Sequence, residues 1–332
     1  MSRSLLLTGV ATGLLALSGC KGVFDGISQG ASAYAPMEAT ARARKPIPVA
    51  LKTLMASKGM AASEPIVIRI FKEENVLEVW KRKGNTYELL KTYEICKYSG
   101  ELGPKIKEGD RQAPEGFYEV GSRLMNPNSR YYLSINMGYP NAYDRAHDRT
   151  GSYLMIHGAC SSAGCYAMTD PAAQEIYALA RDAFHGGQKN LQIQAFPFRM
   201  TPENMARHRD SEHFAFWRML KQGYDHFELT RRPPVVGACG GQYVFNMKGL
   251  DGRLPGPMAK DAAKAACPPM GIERGIATAY AEKLDGDTRS FEAIVAAAEG
   301  RDERDLPKID TATAFPNVTL LGASNVEAPG DS

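Results

Sequence analysis

The sequence lacks three features that mark large classes of proteins. Its longest apolar run, from Leu5 to Leu17, is too short to span a lipid bilayer, which takes about 20 residues. The net charge is only +3 and no lysine and arginine run of the usual kind appears, so the charge pattern is not that of a nucleic-acid-binding protein. No segment repeats along the chain. The composition, 44% hydrophobic and 23% charged over 332 residues, is typical of a globular protein with one large domain or two smaller ones.

The N-terminus has the pattern of an export signal. A short basic start precedes the apolar run, which fits the central region of a secretory signal. Leu17-Ser18-Gly19-Cys20 follows and has the form of a bacterial lipobox, in which the cysteine sulfur is acylated and the chain is cut before it. We therefore expect residues 1–20 to be a lipoprotein signal peptide and Cys20 to be the lipidation site. The mature protein would lie in the periplasm or cell envelope, held to a membrane by its acyl chains. A plain secretory signal with an incidental Cys20 is the alternative.

The rest of the chain divides by composition and periodicity. Residues 21–62 are rich in alanine, glycine and serine and are predicted to be a flexible tether with a short helix at Val49–Ser57. Residues 63–200 contain alternating β-branched runs and are predicted to be a mostly β domain. That domain carries one helix, for which Asp170 is the predicted N-cap.

From 201 to 332 the spacing is helical, which predicts a helical C-terminal extension with a loose tail. One helix of this extension carries an apolar stripe that we expect to pack against the β domain. The stripe consists of Phe214, Trp217, Leu220 and Tyr224.

Six cysteines allow disulfides in an exported protein, but their pairing does not follow from the sequence. They are Cys20, Cys96, Cys160, Cys165, Cys239 and Cys267. Cys239 and Cys267 are one conceivable pair, and Cys96 has no assigned partner. If Cys20 is acylated, five cysteines remain, so at least one thiol stays free.

Reactive side chains are concentrated between Tyr153 and Asp170. His157 stands at the end of a predicted buried strand, and Cys165 follows eight residues later across a run of small residues. Such a run lets the chain fold back, so that the thiol approaches the imidazole that can activate it. The backbone N–H groups of Gly164 and Cys165 are then candidate donors to an oxyanion. The N-terminus of the following helix would also favour a thiolate.

Two other uses of these residues remain open. A metal site would take His157, Cys160 and Cys165 as ligands, but the spacing matches no usual zinc finger and no second ligand cluster is near. A disulfide between Cys160 and Cys165 would remove the nucleophile. We expect neither, and we expect no metal and no cofactor.

The motif resembles that of the L,D-transpeptidase catalytic domains, the YkuD-like family. Ile156-His157-Gly158 followed by Ser162-Ala163-Gly164-Cys165 is similar to the family's His-Gly and Ser-x-Gly-Cys signature. Gly164 to Asp170 resembles the YafK-like murein transpeptidase branch, in which the motif continues as Gly-Cys-Tyr-Ala-Met-Thr-Asp. The segments from Gly109 to Tyr118 and from Asn136 to Asp144 are also similar to that branch. The resemblance covers about residues 65 to 200.

The resemblance implies a fold and a reaction. The fold would be mainly β, an L,D-transpeptidase-type β-sandwich with one helix after the active site, plus the C-terminal helical extension. The substrates would be peptidoglycan stem peptides. Cys165 would attack the carbonyl at the L-centre of diaminopimelate and form a thioester. His157 would act as the proton donor and acceptor, oriented by the backbone carbonyl of Gly158.

The fate of the thioester is left open by the resemblance. Aminolysis would form crosslinks or attach an envelope protein to the wall, and that protein or lipoprotein would then be the acyl acceptor. Hydrolysis would detach an envelope protein from the same linkage. A non-catalytic lipoprotein that binds the wall is a third reading, and the intact His157 and Cys165 argue against it.

The sequence departs from the family pattern at two places. Ala163 replaces a second histidine found in many members, which leaves His157 as the only histidine of the motif. Tyr166 to Met168 stand where many members carry an arginine that meets a substrate carboxylate, so another cation would be needed. An arginine at such a position is more often a solvated loop charge, and each tyrosine can equally be a packing residue. The candidates for substrate binding are Arg111, Tyr118, Tyr139, Arg145, Arg149 and Ser162.

Overall fold

Most strands lie between residues 66 and 196 in the computed structural model, which describes residues 41–250, 263–301, 308–316 and 318–322. The strands are β1 (Ile66–Phe71), β2 (Val76–Lys83), β3 (Thr86–Glu94), β4 (Lys97–Tyr98), β5 (Gly116–Val120), β6 (Met125–Asn126), β7 (Ser134–Asn136), β8 (Met155–His157), β9 (Tyr166–Ala167), β10 (Leu191–Phe196), β11 (Val236–Cys239), β12 (Gln242–Phe245), β13 (Met247–Gly249), β14 (Met270–Glu273) and β15 (Thr319–Leu321). The helices are α1 (Val49–Ser57), α2 (Ala142–Ala146), α3 (Asp170–His185), α4 (Pro202–Arg207), α5 (Phe214–Thr230), α6 (Arg274–Glu299) and α7 (Thr311–Ala314).

The first ten strands form two five-stranded sheets. The first sheet, sheet A, has the order β3-β2-β1-β10-β5, and the second, sheet B, has the order β4-β9-β8-β7-β6. Every residue of β1 and β10 is buried, because these parallel partners lie at the centre of sheet A and are covered on both faces. Ile68 and Val79 of sheet A share one core with Ile135 and Ile156 of sheet B. The predicted mainly β fold is thereby confirmed.

Sheet B is made of short strands, and β8 lies at its centre. It pairs antiparallel with β7 on one side and parallel with β9 on the other. In the parallel pair Ile156 lies opposite Tyr166, and His157 lies opposite Ala167. The chain between these two parallel strands is only residues 158–165.

The helix that follows the site, α3, begins one residue earlier than the sequence predicts. The N-cap is Thr169, whose hydroxyl accepts the backbone N–H of Ala172 at 3.3 Å, so the prediction of Asp170 as N-cap is wrong. Thr169 has the extended backbone that an N-cap adopts, while Asp170 is already helical. The Asp170 carboxylate accepts a hydrogen bond from Ala159 instead. Ile176 and Leu179 of this helix pack into the core shared by the sheets.

The prediction of a flexible tether is wrong for residues 41–62. Ile47, Leu51, Met55 and Met60 are buried in the core of the two sheets, and α1 has the bounds that the sequence predicts. The guanidinium of Arg181 also donates to two backbone carbonyls of this segment. The prediction failed because the segment is rich in small residues overall, and only these few apolar side chains attach it to the core. Residues 21–40, like Cys20, lie outside the described residues.

The C-terminal extension shares a core with sheet A. Trp217 and Tyr224 of α5 pack with Phe196, as the predicted stripe requires. The Trp217 indole also donates to the Glu115 carboxylate at 2.8 Å. The extension is not purely helical, because β11 and β12 form a hairpin and β13, β14 and β15 form a small sheet. Among the described residues, no helix combines the length and apolarity that crossing a membrane requires.

Candidate active site

The parallel pairing of β8 and β9 sets the relative positions of His157 and Cys165. His157 is the last residue of β8, and Cys165 immediately precedes Tyr166, the first residue of β9. Because Tyr166 lies opposite Ile156, the same register sets Cys165 opposite Met155, two residues before His157. Residues two apart along a strand face the same side of a sheet, so the thiol and the imidazole lie on one face of sheet B. His157 is 2% exposed and Cys165 is half-buried. Within the described residues Cys165 is the only free cysteine.

Two disulfides account for the other cysteines in the described part of the chain. Cys96 pairs with Cys160, and Cys239 pairs with Cys267. The alternative pair of Cys160 with Cys165 is therefore wrong. The bond also takes Cys160 away from the three-ligand metal site, which weakens that alternative.

The imidazole of His157 is fixed by its own neighbour in the chain. Its Nδ1 lies 2.6 Å from the carbonyl oxygen of Gly158, so Nδ1 carries the proton and Nε2 keeps its lone pair. A Cβ at Gly158 would lie 2.6 Å from the Asp170 carboxylate and 2.9 Å from Cβ of Tyr132, so any larger residue there would force its neighbours to shift. The Tyr131 ring covers one side of the imidazole, with 4.7 Å between ring centroids. Burial lowers the pKa of His157, which favours the neutral imidazole that can accept a proton.

The Cys165 thiol points to a backbone carbonyl rather than to the imidazole. Its sulfur donates to the carbonyl oxygen of Tyr153 at 3.7 Å. Burial raises the pKa of Cys165, while a hydrogen bond from the backbone of Met155 and the charge of Lys105 act in the opposite direction. The raised pKa of the thiol and the lowered pKa of His157 both favour a neutral resting pair.

The two predicted oxyanion donors converge on one point, but that point is occupied. The N–H groups of Cys165 and Gly164 donate to the Ser162 hydroxyl oxygen, at 2.9 Å and 3.3 Å. The Ser162 hydroxyl donates in turn to the Cys165 carbonyl at 2.7 Å. The local turn thus satisfies both N–H groups internally. A substrate oxygen would have to displace Ser162.

Three of the predicted substrate-binding residues are structural. Tyr118 and Tyr139 are buried, and their hydroxyls donate to the backbone carbonyls of Glu115 and Lys105. Arg149 is also buried and pairs with the buried Asp144 at 2.9 Å. These side chains are committed to the core, so assigning them to substrate is wrong. The burial of these side chains could not be predicted from their residue types alone.

Arg111 and Arg145 lie outside the Cys165–His157 pair. Arg111 is exposed on a turn with a left-handed backbone. Arg145 donates to the backbone carbonyl of Pro140 and lines a cavity of about 240 Å³ together with Glu119 and Tyr243. Within the described part of the chain, neither arginine forms a hydrogen bond or ion pair with Cys165 or His157.

Lys105 is the cation that sequence reasoning missed. It is 4% exposed, and its ammonium donates to Asp110 at 2.5 Å and to the Lys107 carbonyl at 2.9 Å. A Cβ at Gly151 would lie 2.6 Å from Cε of Lys105, so this lysine packs directly under the stretch that leads to Tyr153. The sequence does mark the loop as dense in charge and glycine. Nothing in its spacing separates Lys105 from the other charged residues there.

We expect the charge of Lys105 to tune the thiol. Because that charge lowers the pKa of Cys165, Lys105→Met should raise the pKa and shift the pH midpoint of alkylation by iodoacetamide upward. Lys107→Met, an exposed lysine on the same loop, is the matched control and should leave the midpoint unchanged. Lys105→Met alone also leaves the Asp110 carboxylate without its partner. The double variant Lys105→Met/Asp110→Asn removes both charges, so it reports the loss of the cation without an unpaired carboxylate. An unshifted midpoint in both Lys105 variants would contradict this role.

Comparisons with known proteins identify the family of the catalytic domain. The family model for the L,D-transpeptidase catalytic domain, YkuD, matches residues 65–189. "Putative L,D-transpeptidase YafK" from Escherichia coli K12 is 51% identical over 189 residues, which cover 57% of this chain and 77% of that protein. The protein of the same name from Escherichia coli O157:H7 matches equally well.

Two solved structures are similar to part of this chain, with low TM-scores. The helical cell shape determining protein Pgp2 from Campylobacter jejuni is 22% identical, with a TM-score of 0.32, over 44% of this chain and 54% of that one. Bd1075 from Bdellovibrio bacteriovorus is 25% identical, with a TM-score of 0.31, over 50% and 61% of the two chains. The chain thus spans little more than half the length of these two structures. On the family model and the YafK relatives together, this chain belongs to the YkuD-type L,D-transpeptidase family.

Proposed function

We propose that this protein is a cysteine acyltransferase that acts on peptidoglycan stem peptides through a thioester on Cys165. Family membership supports a transpeptidase acting on peptidoglycan. The observation that carries the mechanism is the strand register, which sets the free Cys165 two residues from His157 on the same face of sheet B. Nδ1 of His157 is held by the Gly158 carbonyl, which leaves Nε2 as a base. The proposed acyl donor is the carbonyl at the L-centre of diaminopimelate.

Acylation begins with a neutral thiol and a neutral imidazole. The Cys165 side chain leaves the Tyr153 carbonyl and gives its proton to Nε2 of His157 as the sulfur attacks the amide carbon. The C–S bond forms and the carbonyl oxygen becomes an oxyanion, which displaces the Ser162 hydroxyl and takes the N–H groups of Gly164 and Cys165. The C–N bond then breaks, and His157 returns the proton to the leaving amine. The product is a thioester on Cys165.

Deacylation runs the same steps with a new nucleophile. An acceptor amine loses a proton to His157 and attacks the thioester carbon, and the C–S bond breaks to give an amide and the free thiol. An amine on another stem peptide or on an envelope protein completes a transfer. Water in the same place gives a carboxylic acid and would release whatever protein the linkage held. The half-buried position of Cys165 is compatible with either nucleophile.

We further propose that the protein works in the cell envelope, anchored by an acylated Cys20. The two disulfides fit an oxidising compartment outside the cytoplasm. Cys20 itself lies outside the described residues, so the lipobox pattern carries this part of the proposal.

Replacing the nucleophile tests the proposal. Cys165→Ala should reduce turnover of purified muropeptides by at least about 10³-fold, measured by liquid chromatography and mass spectrometry, because the nucleophile and base act as a unit. For the same reason His157→Ala/Cys165→Ala should be no worse than Cys165→Ala alone.

Circular dichroism and retention of both disulfides provide the control for folding. Undiminished turnover by a folded Cys165→Ala variant would contradict the mechanism. In the wild type, new crosslinks or protein–stem conjugates identify a transferase, and released peptide identifies a hydrolase.

The lipid anchor has a separate test. In a bacterial host supplied with labelled palmitate, the wild type should carry the label and sediment with membranes. Cys20→Ser should lose the label and appear in the soluble periplasmic fraction. A label that persists in Cys20→Ser would contradict acylation at this cysteine.

A further inference from the structure

The loop between His157 and Cys165 contains two consecutive residues in the left-handed region. Ala159 has φ +64° and Cys160 has φ +49°. Residues other than glycine rarely adopt this conformation, and they do so as single residues unless their surroundings enforce it. Contacts with other parts of the chain must therefore stabilise this loop conformation, because the backbone preferences of Ala159 and Cys160 do not favour it.

Three contacts hold these two residues. The N–H of Ala159 donates to the Asp170 carboxylate at 2.7 Å, and the N–H of Cys160 donates to the Met168 carbonyl at 3.1 Å. Both partners follow Cys165 in the chain. The third contact is the disulfide between Cys160 and Cys96, and Cys96 precedes the loop in the chain.

The segment around Cys96 also meets the loop at a second point. Ser99 donates its hydroxyl proton to the Ser162 hydroxyl at 2.9 Å. Ser162 is the residue that gathers the N–H groups of Gly164 and Cys165. Between these two attachments, Lys97 and Tyr98 form β4, which pairs with β9 directly after Cys165.

We propose that Cys96 is a positioning residue of the active site. Through its disulfide with Cys160 it fixes the left-handed turn, and with that turn the N–H groups that meet the oxyanion, in the geometry that acylates Cys165. This inference rests on the proposed acyltransfer. It predicts that full catalytic rate belongs to the oxidised form of the enzyme.

The competing role for this disulfide is stability alone. A bond across 64 residues stabilises a protein by restricting its unfolded chain, whatever its effect on the site. That role would lower the melting temperature of a variant without changing kcat of the molecules that remain folded. The second disulfide, Cys239–Cys267, provides the comparison because both of its cysteines belong to the C-terminal extension and not to the loop between His157 and Cys165.

The test compares two double variants. Cys96→Ala/Cys160→Ala removes the brace without leaving a spare thiol near Cys165, and Cys239→Ala/Cys267→Ala is the matched control. Both are assayed on muropeptides at a temperature where circular dichroism shows them folded. We expect kcat of the first to fall by about 10- to 100-fold with KM little changed, since displacements of about 1 Å at a reacting site have costs of this order. The control should keep the wild-type kcat.

Chemical reduction tests the same point on the native sulfur atoms. A water-soluble phosphine transfers two electrons to the disulfide, which takes up two protons and gives two thiols, while the phosphine is oxidised to its oxide with oxygen from water. Reduction should lower kcat of the wild type and of the Cys239→Ala/Cys267→Ala variant, and reoxidation should restore it. It should not affect the Cys96→Ala/Cys160→Ala variant.

Wild-type kcat in folded Cys96→Ala/Cys160→Ala would overturn the positioning role and leave the proposed function intact. An equal loss of kcat in both double variants would also overturn it. A wild-type enzyme with no turnover of muropeptides would instead overturn the proposed function itself, and this inference with it.

Discussion

The candidate site depends on an unusually short connection between two parallel strands. Parallel neighbours in a sheet are normally joined by a crossover of about a dozen residues or more, commonly a helix. Here β8 and β9 are neighbours, and residues 158–165 alone join them. The chain must turn back twice within this length. The positive φ angles of Ala159, Cys160 and Gly164 within it are the local consequence.

The same connection explains the chemistry of the pair. It places the imidazole and the thiol on the same face of sheet B, two residues apart in the register of β8 and β9. Burial raises the pKa of Cys165 and lowers that of His157, so both groups rest neutral and the sulfur becomes anionic only as it gives up its proton. The positive charge of Lys105 lowers the pKa of Cys165 and so partly offsets the effect of burial. It thereby reduces the free-energy cost of forming the thiolate.

The sequence made the fold class and the central pair predictable, because both depend on local signals. Alternating β-branched runs indicate strands, and a histidine and a cysteine flanking small residues indicate an activated thiol. Cys96 and Lys105 were not predictable, since their roles arise from contacts across 64 residues for the disulfide and across a folded loop for the lysine. Arg149 was misassigned because its partner Asp144 and its burial depend on the packing around α2. Charge alone does not distinguish a buried structural arginine from a substrate ligand.

The covalent intermediate is the most direct evidence for this mechanism. Wild-type enzyme mixed with a purified stem-peptide substrate and quenched in acid should gain the mass of one acyl fragment on the intact protein. Peptide mapping should place the fragment on Cys165, as a thioester that hydroxylamine removes. Turnover with no adduct on Cys165, or an adduct mapped to a different residue, would contradict the central role of this cysteine.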